Sequence, residues 1–357
     1  MYSLRSMACF AGSLLLCFFA VSCSWMRVEG SDSALPPLPA DAEDYAPLAG
    51  FDAMAIPADN PMTAEKVALG RQLYYDSRLS GDGELSCYSC HLSEKGLSDG
   101  RPTAIGAFGK KLSRNAPSLW NIGFHWAYYW DGRASSLEKQ AAAAWFGGNM
   151  GAKDRADEIV AVIGGLEGYD RQFQEVFGAS ATAENIPMAL AAYMRTIIGG
   201  NTAYDRWQAG DDTAVTDAAK RGYKVFTAAG CAECHSGVLF TDMTFHTVGV
   251  GWDPNQGTYA DPGRFKVTGA EKDRGAFKTP SLRDVVDSGP YFHDGSISSL
   301  ETVVRFMAIG GVPGLPNADP KVKRNRLSDG EVNDLLAFLQ SLDEEADLSQ
   351  APEQISR

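Results

Sequence analysis

The stretch Ser86-Cys87-Tyr88-Ser89-Cys90-His91 contains the pattern Cys-x-x-Cys-His, and the stretch Cys231-Ala232-Glu233-Cys234-His235 repeats it. Two thiols on one turn can each form a thioether to a haem vinyl group, and the adjoining His then ligates the iron. A structural zinc site would need further Cys or His ligands nearby, and a thioredoxin-like pair would need neither the His nor a second copy. The sequence therefore predicts two covalent c-type haems, attached through Cys87, Cys90, Cys231 and Cys234 and ligated by His91 and His235.

Composition agrees with a folded protein of two domains. The chain has 357 residues, of which 45% are hydrophobic and 22% charged, so it can bury real cores. The net charge of -13 argues against nucleic acid or an anionic membrane surface as a partner. Of the seven cysteines, four lie in the two motifs and the others in the first 23 residues, which argues against a disulfide framework.

Residues 1–23 are typical of an export signal. Arg5 precedes the apolar run Leu14–Val21, which is too short for a comfortable transmembrane helix. The run ends at Ala20-Val21-Ser22-Cys23, which is similar to a lipoprotein cleavage box with Cys23 as the acylated residue; ordinary cleavage near this point, giving a soluble protein, is the alternative. We expect a periplasmic or otherwise exported protein without a membrane span, in which residues 24–47 form a flexible lead-in and residues 346–357 a tail.

The two halves of the chain resemble each other. Segments in the same order can be paired: Gly70–Tyr74 with Gly222–Phe226, Asn115–Leu119 with Lys278–Leu282, and Trp130–Glu138 with His293–Glu301. The apolar positions recur at helical spacing at Ile186–Ile198 and again after the capping pair Ser328 and Glu331. The predicted fold is mainly α, with two duplicated cytochrome c-like helical domains that each carry one covalent haem, at residues 48–207 and 208–345.

One position differs between the halves in a way that affects the chemistry. Met307 follows Leu300 by seven residues, and the same count from Leu137 reaches Ala144. A thioether can be the sixth ligand of a haem iron and raise its potential, whereas a methyl group cannot. If this pairing holds, the second haem is closed by Met307 and the first is open. We assign Met188 and Met194 to core packing.

Further motifs occur in order around the two haem motifs, and together they resemble the bacterial di-haem cytochrome c peroxidase superfamily, in its MauG/MbnH-like branch. The similarity extends from about Ile56 to Leu342, nearly the whole mature chain. The motifs that carry it are Leu79-Ser80-Gly81, Ser98–Thr103, Arg114–Ser118, Tyr129–Arg133 and Pro290–Gly295.

The resemblance implies roles for individual residues. His91 and His235 would be proximal ligands, Met307 the sixth ligand of the second haem, and Trp130 the conductor of electrons between the haems. Asn115, with the carbonyl groups of Ser288 and Pro290, would bind a calcium ion between the domains. Amide and carbonyl oxygens suit that ion.

Two departures from the family pattern affect the first haem. Family members that need reductive activation have a His in the loop after the first motif, whereas Ala104–Gly109 contains none, so the first haem should be five-coordinate. Asn149 stands where the family has a distal acid, and an amide donates a hydrogen bond but does not exchange protons at a useful pKa. His125 or Glu138 could transfer the proton instead, and a structural role is the alternative for His125, as for His246.

The resemblance thus implies an exported enzyme that uses hydrogen peroxide at the open first haem to oxidise a partner protein, at an aromatic residue such as tryptophan. An aromatic run could conduct the electrons or could be core: Trp120, Trp126, Tyr128, Tyr129 and Trp130. One alternative is a constitutively active cytochrome c peroxidase, supplied with electrons by a small redox protein. The other is a di-haem electron carrier without enzymatic activity, which would need two six-coordinate irons.

Overall fold

The computed structural model describes residues 53–344, together with Pro352 and Ile355. The predicted signal, the lipid attachment at Cys23 and the lead-in lie outside the described residues, as does most of the tail. Within the described part, the carbonyl of Ile355 accepts a hydrogen bond from Arg78 at 3.0 Å, so this residue of the tail contacts the first half of the chain. No helix among the described residues has the length and apolarity needed to cross a bilayer.

Helices and short antiparallel strand pairs make up the described chain, in agreement with the predicted class. The helices are α1 Ala64–Tyr75, α2 Leu137–Phe146, α3 Ala156–Gly164, α4 Glu167–Phe177, α5 Asn185–Met194, α6 Ala203–Gln208, α7 Asp217–Ala228, α8 Phe265–Thr268, α9 Leu300–Ala308 and α10 Asp329–Gln340. The strands pair as β1 Ile105–Gly106 with β2 Lys110–Lys111, β3 Phe245–His246 with β6 Phe277–Lys278, and β4 Trp252–Asp253 with β5 Thr258–Tyr259. Each motif cysteine pair lies on or beside a short 3-10 turn, Cys87–Cys90 or Cys231–Glu233.

The duplication is visible in how the helices pack. In the first half α1 packs on α5 and Gly70 lies against the carbonyl oxygen of Ala189, where an added Cβ would come within 2.0 Å. In the second half α7 packs on α10 and Gly222 lies against the carbonyl oxygen of Asp334, at 1.9 Å by the same measure. Only glycine permits such close backbone approach, so the matched glycines fix the same helix crossing twice.

Two hydrophobic clusters form the cores. The first is built from α1–α5, and the second includes Phe226, Val332, Phe338 and Leu339. Tyr204 on α6 packs against the second cluster, ahead of the predicted boundary at residue 208. The predicted helix over α10 is confirmed, with Ser328 and Glu331 as its capping box. The predicted helix at Ile186–Ile198 ends earlier, at Met194, because the chain turns there toward Gly199.

Candidate functional site

The first cavity lies beside the first motif and has a volume of about 560 Å³. Cys87, Cys90 and His91 line it, and His91 is the only histidine among its described lining residues. The Nδ1 atom of His91 lies 2.9 Å from the carbonyl oxygen of Leu97. Burial lowers the pKa of His91, so the ring is neutral, donates from Nδ1 and can ligate a metal through Nε2.

The second cavity, of about 300 Å³, lies beside the second motif and repeats this arrangement. Cys231, Cys234, His235 and Met307 line it. The Nδ1 atom of His235 lies 3.0 Å from the carbonyl oxygen of Phe240, and burial lowers the pKa of this imidazole as well. Two neutral histidines held in this way, each beside a pair of cysteines, fit covalent haem with nitrogen ligation.

The predicted pairing of Met307 with Ala144 agrees with the helices that carry them. Ala144 on α2 lines the first cavity, and Met307 on α9 lines the second. Ser136 caps α2 and Ser299 caps α9 through the same hydrogen bond to the third backbone N–H, which sets the two helices in the same register. The first cavity also has two buried methionines on its wall, Met150 and Met194, both in the first core cluster.

The two cavities share part of one wall. Residues that line both are Asn115, Ala116, Pro117, Ile122, Tyr128, Tyr129 and Trp130. The indole Nε1 of Trp130 donates to the carbonyl oxygen of Asn115 at 3.0 Å, and its carbonyl accepts from the backbone N–H of Lys278 at 2.8 Å. Trp130 is therefore fixed between the cavities by backbone contacts to both halves of the chain.

The remainder of the aromatic run separates into buried and exposed members. Trp120 is buried and lines only the second cavity, where its Nε1 donates to Asp284 at 2.7 Å. Trp126 is 57% exposed and contacts the ring of Phe245, with 6.2 Å between the centroids. The interpretation of Trp126 as a core residue is therefore wrong.

Of Asn149, His125 and Glu138, the residues considered for the distal side of the first haem, only Asn149 lines the first cavity. The neighbouring turn is held by β1 and by the backbone N–H of Ala107, which donates to the carbonyl oxygen of Asn149 at 3.0 Å. Ala107 itself is buried against this turn and is not among the lining residues.

Glu138 and His125 lie elsewhere, which corrects the expectation that either could transfer a proton at the first haem. Glu138 accepts from Arg195 at 2.7 Å and from Asn60 at 2.9 Å and lines neither cavity. Although burial alone would raise the pKa of Glu138, the hydrogen bond from Asn60 and the charge of Arg195 lower it, so the carboxylate stays ionised. His125 lines the second cavity and not the first.

Gln140 and Arg133, to which sequence reasoning assigned no role, line the first cavity together with Tyr129. The Arg133 guanidinium lies over the Tyr129 ring at 3.4 Å, and the Tyr129 hydroxyl donates to the carbonyl oxygen of Gln140 at 3.2 Å. Gln140 stands one helical turn before Ala144 on α2, and that spacing could have found it.

The three calcium candidates lie together on the second cavity wall. The amide nitrogen of Asn115 lies 3.2 Å from the carbonyl oxygen of Pro290 and 2.8 Å from that of Arg101. Turning the amide over would present its oxygen beside these carbonyl oxygens, which is an oxygen donor set that suits calcium. His246 has a structural contact set: Asp319 at 2.7 Å and Asp242 at 2.8 Å.

Two cavities of cytochrome c type within one chain define a di-haem c-type cytochrome. A family model described as di-haem cytochrome c peroxidase matches residues 64–213, and a cytochrome c model matches residues 219–343. The chain is 41% identical to the methylamine utilization protein MauG of Methylorubrum extorquens, covering 80% of each protein. It is 38% identical to the cytochrome-c peroxidase IdrP1 of Denitromonas iodatirespirans, over 84% of this chain and 86% of that protein.

The structure of a MauG-like protein associated with microbial copper homeostasis superposes with a TM-score of 0.78 at 34% identity, covering 84% of this chain and 95% of that one. The chain belongs to the di-haem cytochrome c peroxidase family. It is accordingly an oxidoreductase with c-type haems, which is the class predicted from the two motifs.

Proposed function

We propose that this chain is an exported enzyme that reduces hydrogen peroxide at the first cavity and withdraws the electrons from an aromatic residue, such as tryptophan, of a partner protein. Peroxide takes up two electrons and two protons to give two molecules of water, so the partner supplies two electrons. Haem, when bound, supplies the iron at which peroxide is cleaved. The observation that carries the proposal is the inequality of the cavities, with Ala144 in one and Met307 in the other.

In this proposal His91 and His235 are proximal ligands, the four motif cysteines form thioethers, and Met307 closes the second site. Asn149 and Gln140 bring amide groups to the first cavity, where they can hold peroxide by hydrogen bonds. Asp131 is the only carboxylate on that wall among the described residues, and Arg114 and Arg133 pair with it at 2.7 and 3.0 Å. Water within the cavity is then left to carry protons.

Trp130 joins the two sites. Its indole lines both cavities, so electrons can move from one cavity to the other through one-electron oxidation and reduction of the ring, without motion of the chain. A protein substrate is too large to enter a cavity of about 560 Å³, and its electrons must therefore travel through the protein. Trp126, which is exposed, and Trp130 are four residues apart, and we propose Trp126 as the point where the partner's electrons enter.

A constitutively active cytochrome c peroxidase is the second candidate, favoured by the 38% identity with IdrP1. The two candidate functions differ in the electron donor. If the donor is a partner protein that is oxidised slowly, peroxide added without a reductant should produce a change in the haem absorbance that persists. Rapid turnover with reduced cytochrome c would instead support the peroxidase. A resting ferric spectrum with two low-spin haems would contradict both, because no iron would be open to peroxide.

A further inference from the structure

Two nitrogen bases lie in contact on the wall of the second cavity. Lys278, on β6, is only 9% exposed, and its Nζ atom lies 3.1 Å from Nδ1 of His125. Both side chains line the cavity. Because the ammonium group donates to Nδ1, the proton of the neutral imidazole is on Nε2. That Nε2 atom is buried and has no hydrogen-bond partner among the described residues.

Burying Lys278 and His125 side by side without a counter-charge is unfavourable in free energy. Burial lowers the pKa of Lys278 to about 8, and burial together with the adjacent Lys278 lowers the pKa of His125 well below its ordinary value. No described carboxylate forms an ion pair with Lys278, and a buried cation without a counter-charge is unfavourable. An anion that accepts hydrogen bonds from both residues would remove the unpaired charge and the unpaired donor together.

Other cations on this wall already have partners. Lys321 pairs with Asp242 at 3.2 Å, and Lys323 pairs with Glu233. Arg283 pairs with Asp205 at 2.8 Å and with Glu344 at 3.2 Å. Lys278 differs from these three cations because its ammonium group touches a base, His125, rather than an acid.

We propose that Lys278 and His125 form a carboxylate-binding site that takes a propionate side chain of the second haem. The cofactor brings the anion into a cavity that no described carboxylate lines. The backbone N–H of Lys278 also donates to the carbonyl oxygen of Trp130 at 2.8 Å, so the site lies where the two cavities meet. Neutralising the carboxylate there favours the ferrous form of the second haem, because an uncompensated anion would stabilise the extra positive charge of the ferric form.

Redox titration of the holoprotein tests the site, with the two haems followed separately by their spectra. Lys278→Met should shift the reduction equilibrium of the second haem about tenfold toward the ferric form, a fall of about 59 mV, and leave the first haem unchanged. Lys278→Arg, which keeps the charge, should stay near the wild type. Lys323→Met is the matched control, because its side chain lines the same cavity but is 58% exposed and paired.

Each outcome of these experiments either supports or overturns the propionate site. An unchanged potential in Lys278→Met overturns the proposal. If Lys278→Met fails to load the second haem but Lys278→Arg loads it, the requirement for a cation supports the site; if neither loads, Lys278 is a packing residue and the proposal fails. Acetate titration separates the source of the carboxylate. A wild-type potential that depends on acetate, with the dependence lost in Lys278→Met, would mean that a free anion occupies the site and not the haem.

Discussion

Trp130 has a position that no other tryptophan of the described chain shares, because it alone lines both cavities. Its ring is held by one hydrogen bond to Asn115. A phenylalanine would fill much of the space but is far harder to oxidise.

We therefore expect Trp130→Phe to slow electron transfer between the two haems by roughly tenfold or more, equivalent to at least ~1.4 kcal/mol of barrier. Stopped-flow absorbance of the second haem after mixing with peroxide measures this. Trp145→Phe is the control, since Trp145 is buried and lines only the first cavity. Equal rates in the two variants would remove Trp130 from the route.

A pair of acids beneath Trp120 gives a prediction for stability. Asp284 is 3% exposed, and burial, followed by its hydrogen bond with Asp343, raises its pKa to about 7. The unfolded state releases this proton near pH 4 and the native state only near pH 7, so stability falls as the pH rises between these values.

Asp343→Asn removes the like charge and supplies an N–H donor to Asp284. We expect the free energy of unfolding to rise by ~1 kcal/mol at pH 8 and to change little at pH 4.5. Urea unfolding of the holoprotein at both pH values measures it, with the exposed Asp154→Asn as the control. An equal effect at both pH values would show that the gain does not come from the titration of Asp284.

What the sequence predicts at this scale depends on how local the chemistry is. Haem attachment needs its cysteines and histidine within five consecutive residues, so the motif alone predicts it. Glu138 was misjudged because its partners, Asn60 and Arg195, are 78 and 57 positions away, and only folding brings them together. The Lys278 contact with His125 spans 153 positions and has no local signature at all.

At the scale of elements, α2 and α9 are equivalent helices of the two halves that differ in the residue each presents to its cavity. Both begin after a capping serine, and position eight of each faces its cavity, as Ala144 or as Met307. This part of the site was predictable, because equal spacing from a shared cap puts equivalent residues on the same face. The β3–β6 pair that carries Lys278 was not, since strands of two residues have no periodicity to detect.

Met307→Ala should open the second site. The low-spin signal of the second haem should become high-spin, and its reduction potential should fall by about 59 mV or more, because a thioether ligand favours the ferrous form. Electron paramagnetic resonance of the ferric protein and redox titration measure the two effects. Met188→Ala is the control, as that side chain lines neither cavity. A second haem that remains low-spin in Met307→Ala would mean that another residue is the sixth ligand.

At the scale of the whole molecule, the two halves are joined by polar contacts around Trp130. Arg114 pairs with Asp131 of the first half and with Asp261 of the second, each at 2.7 Å. The same guanidinium lies over the ring of Phe277, which stacks on His293 with 3.6 Å between the centroids. These side chains are largely buried, so the contacts resist screening by salt and hold the cavities at a fixed separation.

Asn115 is the contact where an ion would add to this joint, because its amide faces carbonyl oxygens from both halves, those of Arg101 and Pro290. If the amide nitrogen faces these carbonyl oxygens, it donates hydrogen bonds to them and joins the halves directly. If the amide oxygen faces them, a cation must lie between the oxygens, because oxygen atoms of like partial charge repel each other. If calcium binds, chelation with EGTA should lower the melting temperature of the holoprotein by roughly 5 °C, since saturation by an ion contributes ~2–3 kcal/mol.

Scanning calorimetry before and after chelation measures this, and calcium but not magnesium should restore the original value, because magnesium does not accept a site built of so many protein carbonyls. Asn115→Ala should melt lower than the wild type and no longer respond to EGTA. A wild-type protein that ignores EGTA, combined with a destabilised Asn115→Ala, would mean that the amide joins the halves by its own hydrogen bonds. The orientation of one amide group would then decide whether the halves are held by a metal ion or by the chain alone.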